Sequence, residues 1–353
     1  MTSLRYGLLF PLIALLACVL LSGAARPVPT IATFSVVAYD PSTGEVGVAV
    51  QSRFFAVGSV VPWAQAGVGA VASQALGNPT YGPRALKSLS SGQSPDDVLA
   101  VVLRGDKDRE RRQLGIVSVA GQGSAVTYTG KECMAWAGGR TGTAPDGVVY
   151  SVQGNILTGP EVVDAMARAM ETPGLVGSDL TENERQALLM SDLAGRMLGA
   201  LLAGQAEGGD SRGMQSAALR ICQKGMGYGG YTDVKYDLRV DDAVDPFDEL
   251  ARLLNIARPF AMANEGYIKL YAGDNEGARA TFELLIKLQP EEPSHHYNLA
   301  CALALSGMPD AAMDELRQAI TLDPKLAPAA TQDPDLTSLR EREDFKELTA
   351  AKP

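Results

Sequence analysis

One stretch constrains the fold of this chain most strongly: residues 33–53, which read TFSVVAYDPSTGEVGVAVQSR. It holds two runs rich in β-branched residues, Thr33 to Ala38 and Val46 to Gln51, with turn residues between them. This order predicts a β-hairpin ahead of any helix. The first strand begins with a hydroxyl residue, Thr33, and the second ends where Ser52 and Arg53 replace apolar residues. A hydroxyl near a guanidinium is the first indication of a functional site.

The residues ahead of the hairpin are typical of an export signal. Arg5 supplies a positive charge, residues 8–21 are almost wholly apolar, and small residues lead to Ala25. We expect a signal peptide over residues 1–25. An uncleaved membrane anchor is one alternative, although the apolar run is short for a span of about 20 residues. Lipidation at Cys18, in a lipobox-like Leu-Leu-Ala-Cys, is the other.

Composition excludes several function classes. The net charge of −10 argues against general nucleic-acid binding, which needs a basic surface. The two histidines, His295 and His296, lie far downstream, so Ser-His-Asp and Cys-His catalysis are excluded for the first domain. No paired-cysteine zinc motif or nucleotide-binding loop occurs, and we expect no metal and no cofactor. Cys133 and Cys222 remain candidates for a disulfide.

The order of elements predicts the architecture of the first domain. Further strands are expected at 67–75, 113–119, 124–128, 149–157, 216–223 and 234–240. Helices are expected at 81–90, 95–103, 160–171, 182–203 and 246–256. Strands that arrive as hairpins, with helices inserted in pairs, favour antiparallel sheets covered by helices. We predict an α+β fold, a four-layer α/β/β/α sandwich over residues 32–257, with a single antiparallel sheet as the alternative.

An internal repeat predicts a second, all-α domain over residues 258–350. Gly273, Ala278 and Pro290 recur 34 residues later as Gly307, Ala312 and Pro324. This period resembles the tetratricopeptide repeat, and it covers residues 259–324. A capping helix is expected from Asp333 to Leu348. The repeats predict a docking surface for a protein or peptide partner.

Polar clusters at strand ends mark the candidate site. They are Gln51-Ser52-Arg53; Gln74 with Asn78 and Tyr81; residues 153–155, which end in Asn155; and residues 208–213, which contain Asp210 and Arg212. Each cluster could simply satisfy loop backbone. Glycine-rich backbone beside Asp210 and Arg212 could also bind an anion or a carboxylate.

The stretches that carry a family resemblance are the hairpin, RQLGIV, CMAWAGGRTG, YSVQGNIL and GGDSRGMQSAAL. Through them the chain resembles the domain of unknown function 1028 family over residues 32–254. That family is grouped with the N-terminal-nucleophile hydrolases, which share an αββα sandwich and mostly cleave amide bonds. The resemblance implies an amidohydrolase or peptidase, and wall-binding modules in some relatives suggest cell-wall substrates. A non-catalytic domain that binds a wall fragment, a small molecule or a peptide is the alternative. We also expect a homo-oligomer.

The resemblance implies Thr33 as the nucleophile, with its own α-amino group as the base, and Ser35 as the weaker alternative. Asp210 would orient the amine, and Asn155 would stabilise an oxyanion. Arg53 or Arg212, with Ser52 and Gln74, would bind the substrate. Activation requires a cut between Ala32 and Thr33, beyond signal-peptide cleavage near Ala25.

Overall fold

The computed structural model describes residues 33–172 and 192–350. The expected signal peptide, the lipobox at Cys18 and the segment from Arg26 to Ala32 lie outside the described residues, as does the start of the helix predicted from Glu182. Within the described ranges, no helix is both long and apolar enough to cross a membrane.

Ten strands and ten α-helices are described. The strands are β1 (Thr33–Tyr39), β2 (Val46–Ser52), β3 (Pro62–Gln65), β4 (Gly69–Ala75), β5 (Arg112–Ser118), β6 (Ser124–Thr129), β7 (Gly138–Thr143), β8 (Val149–Asn155), β9 (Ser216–Cys222) and β10 (Val234–Val240). The helices are α1 (Tyr81–Ser90), α2 (Pro95–Leu103), α3 (Glu161–Glu171), α4 (Leu193–Ala206), α5 (Pro246–Tyr271), α6 (Asn275–Leu288), α7 (Pro293–Leu305), α8 (Pro309–Leu322), α9 (Leu326–Gln332) and α10 (Glu343–Thr349).

The strands form two antiparallel sheets. The six-stranded sheet has the order β10-β9-β2-β1-β8-β7, and the four-stranded sheet has the order β3-β4-β5-β6. The predicted hairpin is confirmed at the centre of the larger sheet, where β1 pairs with β2 from Thr33–Ser52 to Tyr39–Val46. On its other side β1 pairs antiparallel with β8. The strand that opens the domain therefore has a neighbour on both edges.

The sequence pattern missed β3 and β7, and both are edge strands. β3 begins with Pro62, whose missing N–H is tolerated at a sheet edge. β7 reads GGRTGT and is only half-buried, so it lacks the apolar alternation that identifies a strand. Edge strands that carry few buried apolar side chains leave little trace in a sequence.

Each sheet packs helices on one face. Phe34, Val36 and Ala38 of β1 share a core with α3 and α4. Val37, which points to the opposite face, packs in a cluster with Ala70 and Ala72 of the smaller sheet. The far face of that sheet packs against α1 and α2. The first region is thus a mixed α/β domain with two sheets, and a helical region follows it.

Helix α5 is longer than predicted. It runs from Pro246 to Tyr271 and passes through the predicted domain boundary at residues 257–258, with Pro259 inside it. The Asp245 carboxylate accepts hydrogen bonds from the N–H groups of Phe247 and Asp248, which fixes its first turn. The sequence pattern of residues 246–256 identified only the first part of α5, although Ala257 and Ala261 beyond it also pack on the core of the first domain.

The repeat positions occur at equivalent places in the helical region. Gly273 and Gly307 follow α5 and α7 with φ of 79° and 72°, the left-handed conformation that ends a helix. Ala278 and Ala312 are fully buried where helices meet. The predicted capping helix is divided: a 3-10 helix at Pro334–Leu339 precedes α10.

Candidate functional site

Antiparallel pairing brings three of the predicted residues together at one end of the larger sheet. Thr33 lies opposite Ser52 on β2 and opposite Asn155 on β8. Its side chain is fully buried, and its hydroxyl donates a hydrogen bond to Ser52 Oγ at 3.1 Å. Because side chains alternate along a strand, Ser52 shares the face of Thr33 while Gln51 points to the helix-covered face.

The carbonyl of Thr33 is held by two side-chain amides. Gln74 Nε2 donates to it at 3.1 Å from the smaller sheet, and Asn155 Nδ2 donates at 3.4 Å from β8. Both amides are fully buried. The end of β1 is therefore fixed between the two sheets.

Gln113 on β5 organises these two amides, and sequence reasoning did not single it out. Its Oε1 accepts hydrogen bonds from Gln74 Nε2 at 2.8 Å and Asn155 Nδ2 at 3.1 Å. Its Nε2 donates to the backbone carbonyl of Gly154 at 2.8 Å. Since a backbone carbonyl can only accept, the orientation of all three amides is determined. The available signal was one glutamine within the apolar run RQLGIVS.

Ser35, the weaker candidate for the nucleophile, is engaged within the same network. Its hydroxyl donates to Gln74 Oε1 at 2.6 Å and accepts from Gln153 Nε2 at 3.4 Å. It is fully buried between the sheets. These contacts give Ser35 a role in orienting Gln74.

Asn155 keeps one free atom. With its Nδ2 used by Thr33 and Gln113, its buried Oδ1 has no hydrogen-bond partner within residues 33–172 and 192–350. A buried carbonyl oxygen without a partner is costly, of the order of 1–3 kcal/mol. Asn155 Oδ1 is therefore an unused hydrogen-bond acceptor beside Thr33.

The loop that carries Asp210 crosses the end of the sheet at Thr33. Asp210 forms a β-bridge with Leu157, just after β8, and its Oδ2 accepts from the N–H of Arg53, just after β2, at 3.1 Å. The N–H of Ser211 donates to the carbonyl of Ile156 at 2.9 Å. Because β2 and β8 flank β1, this loop passes the amino end of β1.

The buried carboxylate of Asp210 forms an ion pair within that loop with the exposed side chain of Arg212. Arg212 Nε and Nη2 donate to the two carboxylate oxygens at 3.1 and 2.9 Å. The loop turns through Gly208 and Gly209, whose φ values of 103° and 55° suit glycine. A Cβ on Gly209 would lie 3.1 Å from the Phe34 ring, so the loop packs tightly on the residue after Thr33.

Arg53 points outward from this site. It is exposed, and its Nη1 donates to the carbonyl of Arg212 at 3.0 Å. It lines a surface cavity of about 560 Å³ together with Met214, Gln215 and Asp242. Arg53 is therefore available to a ligand on the surface, one residue beyond Ser52, the partner of Thr33.

Strained backbone is concentrated around the same strand ends. Ala75 follows Gln74 with φ of 64°, and Ile156 follows Asn155 with φ of 56°. Residues with side chains rarely adopt this conformation, which costs about 1–3 kcal/mol. Such strain persists where the surroundings enforce it, and here it accompanies the two amides that hold Thr33. Cys133 and Cys222, by contrast, are free thiols.

Comparisons with known proteins agree with the sequence resemblance. The profile described as "Family of unknown function (DUF1028)" matches residues 33–250, and a tetratricopeptide repeat profile matches residues 296–326. Repeats of the latter kind form binding surfaces for other proteins. No curated protein matches the chain.

A crystal structure gives the same assignment. The structure of a Silicibacter pomeroyi protein, described as a DUF1028 family member, is 29% identical and superposes with a TM-score of 0.50. The match covers 64% of this chain and 89% of that protein. The family profile spans both sheets, from the first residue of β1 into α5. The chain therefore belongs to the DUF1028 family of unknown function and continues into a tetratricopeptide repeat.

Proposed function

We propose that this protein is an exported amide-bond hydrolase of the N-terminal-nucleophile type, with Thr33 as the nucleophile after cleavage between Ala32 and Thr33. The observation that carries the proposal is the position of Thr33. It begins a central strand, its carbonyl is held by two buried amides, and the Asp210 loop crosses beside its amino end. Peptide or cell-wall amides are the proposed substrates.

The layering of the first domain supports this class. The two sheets face each other through one apolar cluster, and helices cover their outer faces. We therefore propose the four-layer α/β/β/α sandwich for this domain. In that arrangement the amino end of β1 lies between the sheets, where a substrate carbonyl would be shielded from water.

The proposed chemistry needs no histidine. Once Thr33 is the first residue, its α-amine has a pKa near about 8 and is partly neutral at physiological pH. The amine accepts the proton of the Thr33 hydroxyl as Oγ1 attacks the substrate carbonyl, and it returns that proton to the leaving amine. Water then hydrolyses the ester that links the acyl group to Thr33.

The contacts suggest a different role for Asn155 from the one predicted. Its Nδ2 is already shared between two acceptors, so it is poorly placed to stabilise an oxyanion. Its free Oδ1 can instead accept a hydrogen bond from the Thr33 ammonium. We therefore propose Asn155 as the residue that orients the amine, with the Asp210–Arg212 loop shaping the entrance.

N-terminal sequencing of the mature protein tests the proposal directly. We expect a chain that begins at Thr33, and hydrolysis of a panel of peptides and wall-peptide fragments that Thr33→Ala abolishes and Thr33→Ser partly retains. Far-ultraviolet circular dichroism checks that both variants fold. A fully processed chain that begins at Arg26, or undiminished hydrolysis by Thr33→Ala, would overturn the mechanism.

Localisation and assembly need separate measurements. We propose export with signal-peptide cleavage near Ala25, and lipidation at Cys18 as the alternative. Cell fractionation of the native chain and of Cys18→Ala separates these two outcomes, since only a lipoprotein would leave the membrane fraction on substitution. Light scattering of the purified protein tests the proposed homo-oligomer.

The cavity beside Arg53 favours a second candidate function, a non-catalytic domain that binds a small anionic ligand or peptide. Arg53 offers guanidinium donors there, Gln215 donates to Asp242 on the same wall, and Met214 and Val244 add apolar surface. In this case binding of a carboxylate-bearing wall peptide would survive Thr33→Ala and fail in Arg53→Ala. If the protein is the proposed hydrolase, turnover should instead be more sensitive to Thr33→Ala than to Arg53→Ala.

A further inference from the structure

The helical region contains a groove that has no role in the proposed hydrolysis. It measures about 520 Å³ and lies between α5, α7 and the 3-10 helix at Pro334–Leu339. Tyr267 and Tyr271 line it from α5, and Tyr297 lines it from α7. The repeat profile covers the α7 side of the groove.

Two of the three tyrosine side chains are held in place by contacts. Tyr267 donates its hydroxyl hydrogen to Asn298 Oδ1 at 2.8 Å, and its ring meets Phe282 edge-on at 5.9 Å. Tyr297 donates to Asp333 Oδ2 at 2.9 Å. Tyr271 remains 83% exposed at the end of α5. Tyr267 and Tyr297 therefore present ring surface that requires little reordering on binding, and Tyr271 adds an accessible ring.

The groove is acidic. Asp333 and Asp335 line it, and no lysine or arginine is among the lining residues that the structure describes. The Asp333 carboxylate already accepts two hydrogen bonds, one from the Tyr297 hydroxyl and one from the N–H of Asp335. Within the described ranges, no donor or cation pairs with the Asp335 carboxylate. Burial and the charge of Asp333 raise the pKa of Asp335.

These features fit one kind of occupant. A carboxylate without a counter-ion attracts a cation, and tyrosine faces attract the same cation through their π electrons. The alkyl stem of lysine or arginine would also cover the apolar part of the rings. We infer that this groove binds a polypeptide segment through a lysine or arginine side chain, which pairs with Asp335 and packs against Tyr271.

A metal ion would use the same side chains differently. The ligand atoms of Cys301, Asp333 and Asp335 lie within 4.8 Å of one another. However, Cys301 is buried, and burial raises the pKa of its thiol, so the thiolate that a metal prefers is disfavoured. Asp333 is already held by Tyr297. The tyrosines, which a metal would not need, favour the organic cation.

A degenerate octapeptide library, offered to the full chain, tests the inference. We expect the retained peptides to share lysine or arginine at one position. Asp335→Asn should abolish that preference, since it removes the charge, and the Asp335 carboxylate has no hydrogen-bond or ion-pair partner within the described residues to lose. Glu291→Gln is the matched control, because it removes one exposed carboxylate elsewhere and should leave the preference unchanged.

A selected peptide then gives the affinity change by fluorescence anisotropy. We expect Asp335→Asn, or replacement of the cationic residue by glutamine, to weaken binding about 10-fold, and the two together to weaken it little further. Tyr271→Leu, which keeps apolar surface without a π face, should also weaken binding. The inference is overturned by a library that yields no cationic preference, by a preference that survives Asp335→Asn, or by saturable Zn²⁺ binding that Cys301→Ser abolishes.

Discussion

At the scale of single residues, the candidate site is built from amides and hydroxyls. The sequence predicted Ser52, Gln74 and Asn155 because polar side chains interrupt apolar strand ends, and it predicted Thr33 from the hydroxyl at the start of the first strand and from the family resemblance. It could not identify Gln113, because one glutamine in an apolar strand does not reveal which partners lie on the other sheet. Partners across a sandwich depend on how two sheets stack, and local pattern carries no information about that stacking.

Gln113→Leu should destabilise the protein by at least about 2 kcal/mol, because it leaves the Gly154 carbonyl and two amide N–H groups buried without partners. Urea unfolding measures the change. Gln93→Leu, at an exposed position, is the control and should stay within about 0.5 kcal/mol of the parent. Equal effects of the two substitutions would show that the network does not stabilise the fold.

Asp106 should make the free energy of unfolding depend on pH in the acid range. Partial burial alone would raise the pKa of Asp106, but hydrogen bonds from Arg112 and Tyr81 outweigh it and hold the pKa at about 2. Because the folded pKa lies below the unfolded one, this contribution is present above about pH 4 and is lost as the pH falls towards 2.

Asp106→Asn should therefore cost about 2 kcal/mol at pH 6 and progressively less below pH 4. Unfolding in urea at pH 6, 4 and 2.5 checks this for both proteins. A stability difference that stays constant across these pH values would contradict the assignment.

At the scale of elements, predictions succeeded where one face of an element is apolar and turn residues or a cap mark its ends. Helices α1 and α2 have the predicted bounds, and Ser94 caps α2 by accepting from the N–H of Asp97. Strand β7 was missed because its stability comes from pairing with β8, not from its own residues. The division of the predicted capping helix was also missed, because the local sequence pattern continues through the break.

Gly82→Ala tests the contact between α1 and the missed strand β3. A Cβ at Gly82 would lie 2.1 Å from Trp63 Cγ, so the indole would have to move. We expect a loss of about 1–3 kcal/mol, although alanine favours helix by about 1 kcal/mol. Ser90→Ala, on the exposed side of α1, should be neutral or slightly stabilising in the same thermal unfolding assay. A stabilised Gly82→Ala would mean that α1 does not pack on Trp63.

At the scale of the whole molecule, helix α5 belongs to both regions. Arg258 of α5 donates twice to Asp192, at 2.8 and 2.9 Å, and Asn264 donates to the carbonyls of Met226 and Gly227. Lys235 of β10 bonds Glu45 at 2.8 Å and Glu265 of α5 at 3.4 Å. The sequence showed a change of character near Arg258, but ion pairs that bridge distant segments have no local signature. The boundary at residues 257–258 stays a prediction.

Lys235→Met should weaken this connection. Burial alone would lower the pKa of Lys235, yet the carboxylates of Glu45 and Glu265 raise it. Without Lys235 the buried Glu45 loses its cation, which typically costs about 3–5 kcal/mol. Lys269→Met is the matched control, because Lys269 binds the same Glu265 nearer the surface and should cost under about 1 kcal/mol. Calorimetry compares the two, and equal losses would exclude a special role for Lys235.

The length of α5 sets a requirement on any substrate that uses both sites. The helix begins with Phe247 beside Phe34, the neighbour of Thr33, at a ring separation of 6.4 Å, and ends at Tyr271 in the acidic groove. Its 26 residues span about 39 Å, somewhat less if Pro259 bends it. An extended chain covers that length with roughly a dozen residues. If both proposals hold, a polypeptide that occupied the two sites at once would need at least about a dozen residues between the bond to be cut and its basic residue.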